Sequence, residues 1–319
     1  MIRFLIRYKS VQYVIILGML VITAITIFPP DIYFLKQTAT HAVPLMLGFL
    51  FFGLLLLTFK LKKLFFTSFA CCASLCFFLK SASNGSLRFN DIKNQNVLNV
   101  GHVNLASLEN DFQEVLDSLI QMPIDVWCFQ EYTPDYAPIL SSYKKVFPYK
   151  AEMMRIDPFG MVFLSKIPIL SSDTILIENI PSLNINVRYE NSIVHIYSVY
   201  SMPPTNEESY STTDACLQQM AKVMVENGNS NIVLGDFNLV SWSREIKNFR
   251  SSAKLFNSRR DILPIFHKGS LTNINGAIAI DHIFFGENFN CVGFNELRFG
   301  KNNSHIGITG RYQMSANHN

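Results

Sequence analysis

Ile232-Val233-Leu234-Gly235-Asp236-Phe237-Asn238 is the stretch that decides how this chain is read. Three apolar residues make a short buried strand, and the run stops at a glycine. Asp236 and Asn238 stand two apart on extended backbone, so both side chains leave the same face. A carboxylate and an amide delivered together at a strand end suit one task, holding a phosphate and the water that attacks it. Alone, the same residues read equally as a strand followed by a turn, because Asp and Asn both favour turns. The surrounding chain decides between the two.

Outward from that strand, apolar or alternating runs predict further strands over residues 97–103, 124–129, 147–151, 161–164, 174–177, 183–189, 193–200, 278–285, 290–298 and 306–314. Helical spacing covers residues 107–121, with Ser107 or Asn110 as the cap, and residues 214–225, which feed the Ile232 strand. Strands and helices mixed in this way predict an α/β (α+β) domain of two packed sheets with helices outside. Polar residues recur where the strands stop: Asn104, Gln130-Glu131, Tyr200, Asp236, Asn238, Asp281 and His305. Asn104 also reads as a turn residue, Glu131 as a helix-start acid and His305 as a surface residue. Asp281 is harder to explain away, since Ala277–Ile280 and Ile283–Phe285 flank it. A charge buried there without a partner is costly, and a histidine is the expected partner.

Asn104, Gln130-Glu131, Gly235-Asp236-Phe237-Asn238, Asp281 and Ser304-His305 stand in the order seen in the endonuclease/exonuclease/phosphatase superfamily, which the chain resembles over about residues 95–315. The segments Gly160–Ile169 and Ser241-Trp242-Ser243 are also similar to that family. The resemblance implies a four-layered α/β/β/α sandwich of two mixed sheets and hydrolysis of a phosphodiester or phosphomonoester, in a nucleic acid, a phospholipid or a small phosphate ester, by metal-assisted in-line attack of water. By the same resemblance Glu131 would ligate a divalent cation with Asn104 adjacent. Asp236 would orient or deprotonate the attacking water, and Asn238 would hold that water or a phosphate oxygen. His305, held by Asp281, would contact the phosphate. Carboxylate and amide oxygens are hard donors, so Mg²⁺ or Mn²⁺ suits them better than zinc.

The chain departs from the family's pattern in two places. Tyr200 stands where many members have histidine, although the exonuclease III-like branch has tyrosine there. Ser304 replaces the aspartate that precedes the last histidine, bringing a hydroxyl without a charge. That replacement keeps a second reading open, a catalytically impaired phosphate- or lipid-binding membrane protein derived from such an enzyme. Residues 244–268 hold seven basic residues, Arg244, Lys247, Arg250, Lys254, Arg259, Arg260 and Lys268, against Glu245 and Asp261. The stretch reads first as a solvated helix face and second as a grip on a polyanion or lipid headgroups, with Arg244 as the substrate-binding candidate. His41, His102, His195, His267 and His318 show no ligand spacing, and His282 reads as a strand neighbour of Asp281. Trp127 reads as core. The six cysteines show no metal-type spacing, and one Cys216–Cys291 bridge is conceivable.

Of the 319 residues 49% are hydrophobic and only 16% charged, and the apolar excess lies in the first eighty. Apolar runs over residues 11–28, 42–59 and 64–79 approach the length of membrane-spanning helices, the third being short unless it extends into Lys63 and Ser81. A cleaved signal peptide competes only for the first run, and two further runs argue against it. The expected organisation is a three-helix membrane anchor over residues 1–82, a polar linker over 83–94 and a phosphoesterase-like domain over 95–315; the anchor is similar to that of bacterial membrane-bound members of the family. Arg3, Arg7 and Lys9, together with Lys60, Lys62 and Lys63, place the N-terminus and the second link in the cytoplasm, and the domain outside it. The bilayer and a phosphate-ester substrate are then the expected partners; no protein partner is inferable. Residues 1–94 carry ten Lys/Arg and two Asp/Glu, whereas residues 95–319 carry seventeen against twenty-two, a net of −5. A domain of that sign is a poor non-specific nucleic-acid binder, so nucleic acid is a possible but not a favoured substrate.

Overall fold

The computed structural model describes residues 8–85, 87–89, 96–108, 112–260, 279–300 and 304–315. It divides into two compact units, Met1–Ser83 and Asn84–Asn319.

The first unit is helical: α1 (Lys9–Ile27), a short α2 (Tyr33–Lys36), α3 (Ala42–Thr58) and α4 (Lys62–Lys80). Three stretches, Lys9–Ile27, Tyr33–Thr58 and Lys62–Lys80, are long and apolar enough to cross a membrane. The side chains they expose are the greasy ones, with Val14, Phe51 and Phe77 each at least 70% exposed. In water that arrangement is costly, whereas in hydrocarbon it is what a helix presents. Three of their hydroxyls are buried: Thr23 and Thr26 donate to Met19 O and Ile22 O, and Ser68 donates to Phe49 O across the α3–α4 contact.

The second unit runs β1 (Leu98–Asn104), α5 (Phe112–Ile120), β2 (Val126–Gln130), α6 (Ala137–Ser142), β3 (Tyr149–Met153), β4 (Met161–Ser165), β5 (Ile169–Ile177), β6 (Ile180–Tyr189) and β7 (Ser192–Ser198). It continues with α7 (Glu207–Glu226), β8 (Asn231–Asp236), α8 (Arg244–Ser252), β9 (Phe256–Asn257), β10 (Asp281–Phe285), β11 (Phe289–Phe299) and β12 (Ser304–Met314). The strands form two six-stranded sheets, ordered β11-β12-β1-β2-β4-β3 and β5-β6-β7-β8-β10-β9. Each is mixed, because β1 runs parallel to β2 and β7 parallel to β8 while their other neighbours are antiparallel. Alternation builds the layers. Along β2, Val126 and Cys128 join the core between the sheets, with Ile185, Ile196, Ile232, Leu234 and Ile308. Trp127 and Phe129 face the other way, into a second core with Val115, Leu116 and Leu119 of α5. On the far sheet, Phe237, Phe284 and Phe249 of α8 close into a ring cluster with centroids 5.3–6.1 Å apart. The result is the four-layered sandwich expected from the sequence.

Several expectations need correction. Ser107 does not cap α5; it ends a 3-10 turn (Leu105–Ser107), and Asn110 lies outside the described residues. The helix expected over residues 214–225 starts earlier, at Glu207, because Asn206 and Ser209 form a reciprocal capping box. The strand expected over 174–177 begins at Ile169; its polar first half is exposed at the sheet edge, which hid its alternation. Cys216 and Cys291 form no bridge: both are free, one facing Ile177 O and the other Ser258 O. The basic stretch is a solvated face only in part: Arg244, Lys254 and Arg260 are exposed, whereas Arg250 and Arg259 turn inward. The Arg250 guanidinium lies 5.7 Å from the Phe284 ring, and Arg259 is buried against Phe294 and paired with Glu296. Asp261 and Lys268 lie outside the described residues, as do residues 90–94 of the expected linker.

Candidate active site

The topology brings one end of each sheet to a common edge. β1 and β2 run parallel and stop together, Asn104 opposite Gln130, so Asn104 and Glu131 emerge side by side. On the other sheet β10 runs antiparallel to β8, and its first residue, Asp281, pairs with Asp236, the last of β8. β12 is antiparallel to β1, so its beginning, Ser304-His305, reaches the same edge. Tyr200 follows β7, which lies parallel to β8.

Gln130 ties the two halves. Its side-chain amide donates to Ser198 Oγ (2.9 Å) and Val199 O (3.0 Å), while its Oε1 accepts from the Asp236 backbone N–H (2.9 Å). Gly235 lies beside this crossing at φ +147°, and a Cβ there would run into Val199 O and Gln130 Nε2. The glycine that ends the Ile232 run is therefore required for the sheets to meet.

Around that tie the polar side chains gather. Asn104 Nδ2 donates to Glu131 Oε1 at 2.8 Å. The Asn238 backbone N–H donates to Asp236 Oδ1 at 2.9 Å, and its side-chain amide donates to Ser201 O at 2.7 Å. Glu131 (φ +56°) and Asn238 (φ +49°) both sit in the left-handed region, conformations that persist where the surroundings over-determine them and that cluster at functional sites. Burial raises the Tyr200 phenol, and the charges of Glu131 and Asp236 beside it raise it further. Asp236 is pushed up to about 7, first by burial and then by the charge of Asp281, against the pull of the Asn238 N–H and the Asn104 side chain.

Asp281 behaves in the opposite way. Burial alone would raise it, but two facing imidazoles, His102 and His305, hold its carboxyl well below the usual range. His305 Nε2 is 2.6 Å from Asp281 Oδ2, the histidine partner expected for that buried acid. His102 Nε2 stands 3.7 Å from Oδ1, an ion-pair separation rather than a hydrogen bond. His102 is fully buried, and neither of its ring nitrogens has a hydrogen-bond partner among the described residues. Ligand spacing does not single it out, but its place two before Asn104 on β1 puts it on the same face of the strand. His282 faces away from the cluster: its Nε2 pairs with Leu239 O at 2.8 Å, and burial lowers it to about 3.

Thus Asn104, Glu131, Tyr200, Asp236, Asn238, Asp281 and His305 are gathered at one edge, with His102 and Gln130 added by the structure. Arg244 lies beyond the Asn238 turn, and its ion pair is with the next residue of its own helix. It opens α8, 3.6 Å from Glu245, which in turn accepts from Tyr210 Oη. Among the described residues no group of three or more His, Cys, Asp or Glu is placed to hold a metal ion unaided. One carboxylate and an amide, completed by substrate oxygens and water, is a donor set that fits Mg²⁺, which usually keeps several waters and one or two protein carboxylates. The upward pressure on Asp236 from neighbouring negative charge is consistent with a cation-accepting pocket.

The model of the Endonuclease/Exonuclease/phosphatase family matches residues 97–300. Solved structures with the same fold include Danio rerio TDP2 complexed with a single-strand DNA product, with 17% identity, 69% of this chain and 100% of that chain covered, and a TM-score of 0.55. They also include the 3′ phosphatase NExo from Neisseria bound to a product DNA hairpin, with 15% identity, 68% and 99% covered, and a TM-score of 0.53. The Bacteroides thetaiotaomicron mannosyl-6-phosphatase shares 14% identity, with 67% and 99% covered and a TM-score of 0.51. No curated protein matches the chain in sequence.

Proposed function

Because the chain belongs to the endonuclease/exonuclease/phosphatase family, whose members are hydrolases of phosphate esters, we propose that it is a membrane-anchored, Mg²⁺- or Mn²⁺-dependent phosphoesterase working at the Glu131–Asp236–His305 edge. The observation that carries this reading is the convergence of polar strand ends from both sheets on one edge, with His305 paired to the buried Asp281. Asp236, with its proton affinity near neutrality and its carboxylate fixed by the Asn238 N–H, orients the attacking water and draws off its proton. Asn238 and the Tyr200 hydroxyl hold phosphate oxygens. His305, kept in place by Asp281, donates to the phosphate as charge builds there. Glu131, with Asn104 beside it, would hold the cation, which when bound neutralises phosphate charge and polarises the phosphorus–oxygen bonds. The site thus supplies position and charge rather than a covalent intermediate.

The test is hydrolysis of bis-p-nitrophenyl phosphate and p-nitrophenyl phosphate by the full chain in detergent. Activity should vanish in EDTA and in Asp236→Ala; activity indifferent to both would defeat the reading. Ser304, exposed at the start of β12, favours a second reading in which turnover is impaired and phosphate is bound. Ser304→Asp separates the two: a large gain in rate marks an impaired protein, and little change marks a working enzyme. The three apolar stretches support anchoring, with residues 1–82 as the anchor and the hydrolase unit on the extracytoplasmic side. Labelling of Lys145→Cys in an otherwise cysteine-free chain, from outside intact cells, tests that orientation.

A further inference from the structure

The catalytic edge is walled by apolar side chains that project into solvent. The loop between β3 and β4 is pinned beside Glu131: the Arg155 N–H donates to Tyr132 O, and the Tyr132 N–H donates to Gly160 O at 3.0 Å. From that pinned loop Ile156 stands 93% exposed and Met154 42% exposed. Its far end returns through Phe159, whose ring lies edge-on to Tyr200 at 5.7 Å. On the other side of Tyr200, Ser201 is fastened to the site twice, its N–H to Asp236 O and its carbonyl to the Asn238 amide, and the next residue, Met202, is 44% exposed. A third wall is the stacked, half-buried Phe112–Tyr136 pair, with centroids 4.6 Å apart; the Glu131 charge acts on the Tyr136 phenol.

Single exposed apolar residues are ordinary; three on two loops that reach the same tyrosine, one through the Phe159 ring and one by following it in sequence, are not. The cations of the pinned loop and of the start of α8 are both engaged by carboxylates. Arg155 is forked onto Asp157 through Nε at 2.7 Å and Nη2 at 2.6 Å, and Arg244 faces Glu245. A nucleic-acid channel needs the reverse, basic walls that track phosphates. A phosphate centre inside an aliphatic collar matches an amphiphile, whose polar group enters while its hydrocarbon stays against the rim.

Resting on the phosphoesterase reading above, we propose that the substrate is a lipid phosphate ester drawn from a bilayer, with Met154, Ile156 and Met202 contacting its acyl region while the headgroup phosphorus reaches the Glu131–Asp236 edge. In the step, a water oxygen bonds to phosphorus and the phosphorus–oxygen ester bond breaks. One water proton passes to the leaving alkoxide, giving an alcohol and the released phosphate or phosphomonoester. Three helices apolar enough to cross a membrane would hold such an enzyme where its substrate is most concentrated.

The experiment compares the full chain in mixed micelles with Mg²⁺ on dioleoyl and dihexanoyl forms of phosphatidate and phosphatidylglycerol, and on a single-stranded DNA oligonucleotide. At least a tenfold higher kcat/KM on a long-chain form than on its short-chain counterpart is expected. The triple variant Met154→Ser, Ile156→Ser, Met202→Ser should erase that preference, with an unchanged circular-dichroism spectrum and melting temperature to show that it is folded. Equal rates on long and short chains, or a triple variant that keeps the preference, would overturn the lipid assignment and leave the phosphoesterase reading standing. Faster cleavage of the oligonucleotide than of any lipid would overturn it in favour of a nuclease. Hydrolysis of none of these or of the p-nitrophenyl esters would remove both.

Discussion

At the scale of single residues, the two buried aspartates sit in opposite electrostatic situations and give opposite predictions. Asp236 is held near 7, above the ordinary carboxylate range, so it costs stability as pH rises from about 4 through 7 and the folded protein gives up a proton it prefers to keep. Asp236→Asn keeps an oxygen for the Asn238 N–H and removes the charge. In EDTA at pH 8 the variant should melt higher than the wild type, by an amount on the order of 1–3 kcal/mol, while hydrolysis is lost; differential scanning calorimetry and the bis-p-nitrophenyl assay check the two halves. His102 gives a second prediction. Its imidazole faces the buried Asp281 carboxylate at 3.7 Å, so His102→Leu leaves that charge with one partner fewer and should cost stability. If it steadies Asp281 against His305, kcat should fall on the order of tenfold with KM unchanged, and His102→Gln should recover part of the loss. Asp281 was legible as a buried acid in need of a histidine because its apolar flanks are contiguous in sequence. His102 was not, because its partner lies far along the chain and only the pairing of β1 with β12 and of β8 with β10 brings them near.

Secondary-structure elements show where the physics was local and where it was not. The Ile232 strand, the α5 face and the alternation of β2 follow from their own residues, and all lie close to where periodicity puts them. Beginnings and ends moved where a cap or an edge intervened, as at α7 and β5. The α7 capping box gives a direct check: Asn206→Ala should cost about 1 kcal/mol of stability, read by urea denaturation, with little change in activity. The tie from β2 to β8 is of another kind. Gln130→Leu would strand the Asp236 N–H and remove the donor to Val199 O and Ser198 Oγ, at a cost of about 2–4 kcal/mol. Because Asp236 hangs on the same bond, kcat should fall as well. Sequence pattern marks Gln130 only as the neighbour of Glu131; its role as a cross-sheet bolt exists only once two strands from different sheets are opposed.

For the whole molecule, acid is the telling stress. His282 is neutral in the fold, lowered to about 3, whereas in the unfolded chain it protonates near pH 6.5. Its contribution is therefore intact above pH 6.5 and is lost as pH falls from there towards 3, at up to about 1.4 kcal/mol per pH unit. Asp236 gains over the same window what His282 loses, so the drop between pH 7 and pH 5 should appear in the urea midpoints of Asp236→Asn, and adding His282→Phe should flatten that slope. Layer order and membrane-compatible helices were readable in advance, since both depend on pattern over many residues; the apolar collar was not, because Ile156, Met154 and Met202 look like ordinary strand-flanking residues until their loops meet at Tyr200. One consequence of the strand order reaches beyond the finished protein. The strand that carries His305 zips alongside β1, whose residues leave the ribosome roughly two hundred positions earlier, so this pairing closes only across a long span of chain. The cluster that needs His305 is thus incomplete until synthesis has passed that residue, so the order of translation itself keeps the growing chain chemically silent.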